Sequence, residues 1–337
     1  MKRLLFVDHA FHQISKSSEF FIELLRQCFE VECRYIEPQP ICTPQQLAVP
    51  YGIDIVVVWQ LDYLAPVFIE QGFPTIVVPM YDGSSGQPDI HWIASSSARF
   101  ICFSIHLHTR LRQLQCHSRL TKYFPPPVYS SVSFDRPRAF LWRRRPEDQI
   151  DIPLVEKLFG RSICGLHVHD APDSPGQRQS ATSECFPISR TSWLEHRADY
   201  FLAMQNANIF IAPRLSEGIG HAFLEAMARG MLVVANNAPT HSEYICDGLS
   251  GRLFSISNPH PILLNDAHRL GRKGQDAVVY GHAQWLSERG ALMQFIKDCP
   301  KPQPSQARGF LERILHLSNA YYRAPSQYSE MLREMVL

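Results

Sequence analysis

Short apolar runs that alternate with helical patterns constrain the fold of this 337-residue chain more than any other feature. Within the first third, the apolar runs lie at residues 3–8, 31–36, 53–59, 75–79 and 100–104. Between the first two runs, residues 17–29 have the spacing of an amphipathic helix. Alternation of this kind predicts an α/β fold with a parallel, doubly wound sheet. Runs that are almost continuously apolar are typical of central strands covered by helices on both faces.

Three consecutive prolines, within residues 123–138, interrupt this pattern because proline continues neither a helix nor a central strand. A second series follows, with apolar runs at 139–142, 163–168, 209–212 and 232–236 and helical patterns at 150–158, 193–205 and 220–229. The length is about twice that of a common single domain. We therefore predict two Rossmann-like doubly wound domains, at residues 1–130 and 131–304, and a C-terminal helix at 305–337.

Composition excludes several classes of protein. The chain has 33 basic and 32 acidic residues, so no global charge favours nucleic acid as a partner. No run approaches the ~20 apolar residues that span a bilayer, and Asp8 interrupts the apolar start before a signal-peptide core forms. The nine cysteines form no CxxC pair of the kind that zinc or redox sites use. We expect a cytoplasmic protein with reduced thiols.

The most informative segment, residues 208–237, combines a strand, a loop with Gly218 and Gly220, a helix and a second strand. The free amides of a first helical turn and the positive end of the helix dipole favour an anion, and glycine lets it approach the backbone. Residues 214–230 are therefore predicted to hold a phosphate.

Glu217 and Glu225 flank the start of this helix with seven residues between them. A carboxylate accepts hydrogen bonds from two vicinal hydroxyls, so this spacing suits one carboxylate on a ribose and another on a sugar beyond the phosphates. The alternative is that Glu217 is an ordinary helix-start residue and Glu225 a solvated helix position.

This segment resembles the donor-binding signature of retaining family 4 glycosyltransferases of GT-B fold, also called group 1 glycosyltransferases. The shared positions are Glu217, Gly218, Gly220, Leu224, Glu225, Ala226, Met227, Ala228 and Gly230, then Glu243, Tyr244, Ile245, Asp247, Gly248, Gly251 and Leu253. The resemblance implies two domains that face a cleft, with the acceptor on the first and a nucleotide-sugar donor on the second. It also implies transfer with retention, and a C-terminal helix that crosses back to the first domain.

By the same resemblance, Glu225 binds the ribose hydroxyls and Glu217 the transferred sugar. The distal phosphate lies over Gly218, on the amides of Ile219, Gly220 and His221. Glu243 extends the pocket, or is an ordinary cap before Tyr244.

Arg143, Arg144 and Arg145 directly follow a predicted strand. Arginines there can clamp a diphosphate and stabilise the charge on a departing nucleotide, so that no metal cofactor is needed. We prefer Arg144 or Arg143 for this role, the alternative being a solvated basic turn. The family usually carries a lysine a few residues later, and Lys157 is the nearest one here. The sequence lacks the Asp-x-Asp triplet of metal-dependent glycosyltransferases.

The resemblance extends into the first domain with departures. Residues 73–82 resemble a strand whose end usually carries a His-Asp pair, but Tyr81 stands before Asp82 in place of the histidine. The usual glycine-rich loop after the first strand is replaced by residues 8–18. Its polar side chains either meet the acceptor or a phosphate, or lie on the surface. They are His9, His12, Lys16 and Ser17.

The candidate metal ligands of the sequence are His167, His169, Asp170 and Asp173. Histidines two apart on a strand point the same way, but no third ligand follows at a familiar spacing. We therefore favour a structural or cleft-lining role for them and expect no metal.

Residues 209–214 and 236–245 resemble bacterial enzymes that build O-antigen, capsule or other lipopolysaccharide chains on lipid carriers. A glycan or lipid-linked acceptor is implied, at the cytoplasmic face of the inner membrane. Apolar residues of the first helix form either a membrane-touching face or core; they are Phe20, Phe21, Leu24 and Leu25, beside Arg26. Two other functions remain open: a sugar-nucleotide epimerase of the same fold, and a non-catalytic glycosyltransferase-like partner subunit.

Overall fold

The computed structural model describes residues 1–37, 44–130, 132–172 and 182–302. The chain forms two compact units. The first, unit 1, consists of Met1–Lys122 together with the segment from Leu286 onward, and unit 2 is Tyr123–Trp285. The helix predicted at 305–337 and the candidate ligand Asp173 lie outside the described residues.

Unit 1 is built on a six-stranded parallel sheet, as the alternating apolar runs predicted. Its strands are β1 Lys2–His9, β2 Phe29–Ile36, β3 Ile55–Trp59, β4 Thr75–Val78, β5 Arg99–Cys102 and β6 His117–Leu120, in the order β2-β1-β3-β4-β5-β6. Its helices are α1 His12–Ser15, α2 Glu19–Arg26, α3 Pro44–Leu47, α4 Ala65–Glu70, α5 Tyr81–Ser84, α6 Asp89–Ile93 and α7 Ile105–Gln113. β2 lies on one side of β1, and the strands from β3 onward lie on the other side. The topological switch point of this sheet is therefore between β1 and β3.

The core of unit 1 includes the apolar face of α2. Phe21, Leu24 and Leu25 are buried, and the ring of Phe20 lies 5.9 Å from that of Trp59. Of the two alternatives for this helix, core packing is therefore confirmed, because its apolar side chains are packed inside the unit.

Unit 2 also contains a parallel six-stranded sheet. Its strands are β7 Arg138–Arg143, β8 Gly165–Asp170, β9 Ile188–Thr191, β10 Ile209–Ile211, β11 Leu232–Asn236 and β12 Arg252–Phe254, in the order β12-β11-β10-β7-β8-β9. Its helices are α8 Ile152–Phe159, α9 Arg197–Met204, α10 His221–Ala228 and α11 His241–Tyr244. This is the Rossmann strand order, which has its switch point between β7 and β10.

A long helix, α12 Ala267–Lys297, begins in unit 2, and the boundary between the units falls inside it. Its last turns belong to unit 1, where Arg99 Nη1 donates to the Phe295 carbonyl at 2.6 Å and Lys2 Nζ to the Lys297 carbonyl at 2.9 Å. Among the described residues, no helix is long and apolar enough to cross a membrane.

Candidate active site

The switch point of unit 2 brings together two sequence motifs that lie some seventy residues apart. The arginine run follows the carboxyl end of β7, and the loop that carries Glu217 follows the carboxyl end of β10. These two strands are neighbours, with Leu141 opposite Ile211 in the register. Ligands of open α/β sheets bind outside the carboxyl ends of the strands at this point.

A left-handed glycine sets the start of α10. Gly220 has φ +86°, and a Cβ placed there would lie 1.9 Å from the ring of Phe223. Only glycine fits this position without moving a fully buried aromatic ring. The helix then begins at His221, so the amides of its first turn lie beyond the reach of intrahelical carbonyls. The predicted phosphate loop therefore has the backbone geometry that an anion site requires.

Glu217 is buried, with 5% of its surface exposed. Its carboxylate lies 3.5 Å from Nη1 of the buried Arg214, and its main-chain carbonyl accepts a hydrogen bond from Thr240 Oγ1 at 3.0 Å. The neighbouring residue Leu215 is bound from both sides, by Asp148 and Asn236 side chains at 3.0 Å each. Glu217 is thus held inside a fixed loop and is not a solvated helix-start residue.

Glu225 lies in the second turn of α10 and is also buried. Its carboxylate pairs with the guanidinium of Arg197, and its main-chain carbonyl accepts from Arg229 Nη1 at 2.9 Å. Burial raises the pKa of the Glu225 carboxyl, against the opposing effect of the two arginines. A solvated helix position is excluded for this residue.

Arg143 and Arg144, the first two residues of the arginine run, lie in different environments. Arg143 is buried and forms an ion pair with Asp170, from Nη2 at 2.8 Å and from Nε at 3.0 Å. Arg144 is half-buried, and its guanidinium carbon lies 4.8 Å from the centre of the Trp142 ring. The run is therefore not a simple solvated turn. Lys157 is exposed and lies in the last turn of α8, the end of that helix that is farther in sequence from the arginines.

An aromatic cluster at the ends of β7 and β8 was not predicted from the sequence. The ring of Tyr200, on α9, lies 5.4 Å from Trp142, 5.6 Å from Phe140 and 5.7 Å from His169. Burial raises the pKa of the Tyr200 hydroxyl, and Glu225 is the charged neighbour that raises it further. The only available signal was the helical pattern at 193–205, which does not indicate what the helix faces.

A family model of known proteins matches the part of the chain that carries this site. Residues 182–263, which contain Glu217, Glu225 and Glu243, match a family model. The family is glycosyl transferases group 1. No curated protein sequence matches the chain.

Solved structures with the same fold extend the likeness beyond the group 1 segment. Sucrose-phosphate synthase from Thermosynechococcus elongatus superposes with a TM-score of 0.60 at 14% identity, over 88% of this chain and 98% of that one. The Anabaena protein HepE in complex with UDP-glucose gives 0.57 at 15% identity, over 86% and 100%. The lipopolysaccharide outer core galactosyltransferase WaaB gives 0.53 at 13% identity, over 88% and 99%. The predicted GT-B fold of two Rossmann-like domains is confirmed.

Within the group 1 segment, Glu243 lies on the short helix α11, where its amide bonds the Thr240 carbonyl at 2.9 Å. The adjacent His241 is fully buried and donates from Nδ1 to the Asn236 carbonyl at 3.1 Å. Burial and the charge of Arg214 lower the pKa of His241 to about 4, with the Asn236 hydrogen bond opposing them. α11 is thus anchored beside the Glu217 loop.

The two strand-alternate histidines are engaged with hydroxyl groups of β9. His167 lies 2.9 Å from Ser189 Oγ and 3.0 Å from Thr191 Oγ1, and His169 Nδ1 lies 3.0 Å from the same threonine. Burial lowers the pKa of His169 to about 4. Within the described ranges, no group of three or more His, Cys, Asp or Glu side chains is arranged to hold a metal ion. These contacts fit the structural role that we preferred.

Two of the four candidate residues after β1, His9 and His12, contact Asp8, which is fully buried, whereas Ser17 accepts a hydrogen bond from Ser15. The Asp8 carboxylate accepts from the amide of His9 at 2.7 Å and from Ser18 Oγ at 2.6 Å, and it lies 2.6 Å from His12 Nδ1. Burial lowers the pKa of His9, and His12 lowers it further. Lys16, the C-cap of α1, is exposed. The loop is an ordered polar cluster at the switch point of unit 1.

Tyr81 and Asp82 begin α5, directly after β4. The ring of Tyr81 meets that of His106 edge-on at 6.0 Å, and both line a pocket of about 530 Å³ with Asp89 and Arg110. The position at which the sequence departs from the family therefore faces a pocket in unit 1.

Proposed function

We propose that this protein is a glycosyltransferase that transfers a sugar from a nucleotide-sugar donor to an acceptor. The observation that carries the proposal is the placement of two buried carboxylates, Glu217 and Glu225, at the glycine-led start of α10 and at the switch point of unit 2. An anion site between two carboxylates suits a nucleotide diphosphate that bears hydroxyl groups at both ends.

Each donor-site residue has a distinct role in this proposal. The Gly218 loop and the amides of Ile219, Gly220 and His221 bind the distal phosphate, because a helix start favours an anion. Glu225 binds the ribose, and Glu217 binds the transferred sugar. Glu243 extends the same pocket from α11. The structures of HepE with UDP and with UDP-glucose support a nucleotide sugar as the class of donor.

Arg144 is the cation that stabilises the departing nucleotide diphosphate. Its guanidinium is stacked on Trp142 at the end of β7, and fixed positive charge at a leaving group lowers the barrier without a metal ion. Arg143, bound to Asp170, acts mainly by holding this turn in place. We propose a metal-independent reaction, which predicts equal transfer rates in EDTA and in Mg²⁺.

We further propose that transfer proceeds with retention, onto a glycan or lipid-linked acceptor, in the synthesis of a bacterial surface polysaccharide. The fold shared with WaaB, a lipopolysaccharide outer core galactosyltransferase, supports this setting. A cytoplasmic site of action, with peripheral contact at the inner membrane, follows from a lipid-linked acceptor.

The test is a thermal-shift screen with UDP-, GDP-, CMP- and dTDP-sugars, each with EDTA and with Mg²⁺. A ligand that binds only the native state raises the melting temperature. We expect one donor to stabilise wild type in EDTA, and Glu225→Ala to abolish that shift. The matched control is Glu195→Ala, which removes an exposed carboxylate of the same unit. Absence of a shift with every donor would contradict the proposal and favour the partner-subunit alternative.

Acceptor dependence separates a transferase from the epimerase alternative. A transferase consumes the donor only in step with an acceptor, or slowly with water, and releases the nucleoside diphosphate. An epimerase converts the sugar with or without acceptor. Product analysis by NMR gives both the reaction type and the anomeric configuration.

A further inference from the structure

A salt bridge with Arg197 engages the Glu225 carboxylate. Arg197, the first residue of α9, pairs with the Glu225 carboxylate, yet 70% of its side chain is exposed against 11% for Glu225. The arginine thus reaches a buried carboxylate from solvent. Its guanidinium also lies 5.3 Å from the Phe201 ring. Such a side chain can leave the carboxylate without opening the core, because little of it is packed.

Burial and, after it, the charge of Glu225 raise the pKa of the Tyr200 hydroxyl, which places this residue near the pair. Arg197 and Tyr200 are three residues apart on α9 and therefore share a helix face. Within the described part of the chain, the Tyr200 hydroxyl oxygen is buried and has no hydrogen-bond partner. The ring is fixed against Trp142, Phe140 and His169, so the hydroxyl cannot turn to solvent. A buried hydroxyl without a partner is unfavourable and marks a place where a ligand can supply one.

The chemistry of the pair indicates which ligand group fits. A guanidinium presents two parallel N–H donors to a carboxylate, and a cis-diol presents two O–H donors to it in a similar way. A diol hydroxyl also accepts, so it can take the proton of a neighbouring tyrosine hydroxyl into a hydrogen bond. Arg197, whose Nη2 contacts Glu225 Oε1, thus occupies an acceptor atom that a ribose hydroxyl could use.

We propose that Tyr200 and Glu225 together bind the ribose cis-diol of the donor nucleotide, and that Arg197 holds this position when the donor is absent. Glu225 accepts from the two ribose hydroxyls, and Tyr200 donates to one of them. Arg197 must leave the carboxylate first. This inference rests on the proposed function, because it requires a nucleotide at this site.

Tyr200→Phe tests the first half. Affinities for UDP, GDP, CDP and ADP are measured by calorimetry on wild type, and the tightest is compared with its 2′,3′-dideoxy analogue. We expect Tyr200→Phe to weaken the ribonucleotide by about three- to tenfold and to leave the dideoxy analogue unchanged. Its ligand-free melting temperature should equal or exceed that of wild type, since the hydroxyl has no partner to lose.

Equal losses for both nucleotides, or no loss for either, would overturn the ribose contact while leaving the glycosyltransferase proposal intact. No binding of any of the four nucleotides to wild type would overturn the ribose contact, and both proposals would fall if no donor of the thermal-shift screen bound either. A lower ligand-free melting temperature in Tyr200→Phe would show that the hydroxyl is a structural group.

Arg197→Ala tests the second half. Arg197→Ala removes the side chain that competes with the ribose for Glu225. Because an exposed ion pair is weak, we expect ribonucleotide binding to become only about two- to fivefold tighter. Arg272→Ala, which removes another exposed arginine of unit 2, is the matched control and should change nothing. Weaker binding in Arg197→Ala would assign the arginine to the bound donor and overturn its role as a placeholder.

Discussion

Thr240 donates a hydrogen bond from its side-chain Oγ1 to the main-chain carbonyl of Glu217, 3.0 Å away, and is itself fully buried. The turn before α11 thereby fixes the loop that carries the candidate sugar-binding carboxylate. This contact joins two segments of the group 1 region that are 23 residues apart in sequence.

Thr240→Val should therefore affect both stability and turnover. Valine keeps the shape but leaves the Glu217 carbonyl without its donor, which costs about 1–3 kcal/mol of unfolding free energy. Turnover of the donor should fall about tenfold or more, since Glu217 loses its fixed position. Urea unfolding and donor-consumption rates measure the two effects. Thr240→Ser keeps the hydroxyl and should retain most of the rate; equal rates for both variants would contradict the prediction.

Gly220 and Gly230 provide a matched comparison of two left-handed glycines. A Cβ at Gly230 would make only ordinary van der Waals contact, with Gln275 Oε1 at 3.6 Å, so Gly230→Ala should cost only the backbone strain of about 1–2 kcal/mol. Gly220→Ala adds overlap with Phe223, for roughly another 1–3 kcal/mol. Donor-induced thermal shifts should vanish in the Gly220 variant alone. Equal stability of the two variants would show that the Phe223 ring adjusts at no cost.

Substitution of Arg143 should lower the stability of the protein, whereas substitution of Arg144 should lower its transfer rate. Arg143→Ala leaves Asp170 as an unpaired buried charge and should cost about 3–5 kcal/mol of unfolding free energy. Arg144→Ala should leave that free energy nearly unchanged but lower the transfer rate about 100-fold, because it removes charge from the leaving group. Denaturant unfolding and steady-state kinetics report the two quantities. Recovery of stability in Arg143→Ala with Asp170→Asn is the check on the mechanism, and a stable Arg143→Ala would refute it.

His241 should make stability depend on pH. Its pKa is about 4 in the folded protein, against an ordinary value of 6.5, so the unfolded chain binds the extra proton first as the pH falls. Stability is then lost from about pH 6.5 down to about pH 4, at up to about 1.4 kcal/mol per pH unit for this group.

Unfolding free energies of His241→Gln across that range should show a shallower slope than wild type. His260→Gln, at an exposed position, is the control and should keep the wild-type slope. An unchanged slope in the His241 variant would mean that His169, whose pKa is also lowered to about 4, carries the dependence.

A buried hydrogen-bonded cluster in unit 1 allows a test that does not involve the donor site. Asp62 Oδ2 lies 2.5 Å from His91 Nε2, and Ser84 Oγ donates to Asp62 Oδ1 at 2.9 Å. Asp62→Ala leaves the buried His91 and Ser84 side chains without this acceptor and should cost about 1–3 kcal/mol for each, whereas Asp89→Ala removes an exposed partner of Arg110 and should cost under about 1 kcal/mol. Nucleotide affinity per folded molecule should be equal in both. An affinity loss confined to the Asp62 variant would contradict this independence.

The sequence alone predicted those strands whose apolar residues both favour a β-strand and fill the core. The core strands are apolar because helices cover both faces, so β3, β4, β10 and β11 were recognised. The edge strands β6 and β9, with sequences HSRL and ISRT, were missed because an edge strand need not be apolar.

The candidate site was predictable to the extent that it depends on one continuous segment. Glu217, Gly220 and Glu225 follow a single strand and helix start. The pairing of Arg197 with Glu225 depends on how α9 packs, and no local pattern encodes it. Arg143 could be told from Arg144 only through the register of β7 and β8, which places Arg143 opposite Asp170.

The unit boundary inside α12 also affects the order in which the protein is completed on the ribosome. Unit 2 is continuous in sequence, so all its residues have been synthesised once Trp285 is added. Unit 1 starts at Met1, yet its Arg99 and Lys2 bond to carbonyls at Phe295 and Lys297, and the Cys299 thiol to the Thr75 carbonyl at 3.5 Å. Synthesis of unit 1 therefore begins before that of unit 2 but is completed after it. The contacts of its sheet with residues 295–299 can form only when nearly 300 residues have been synthesised.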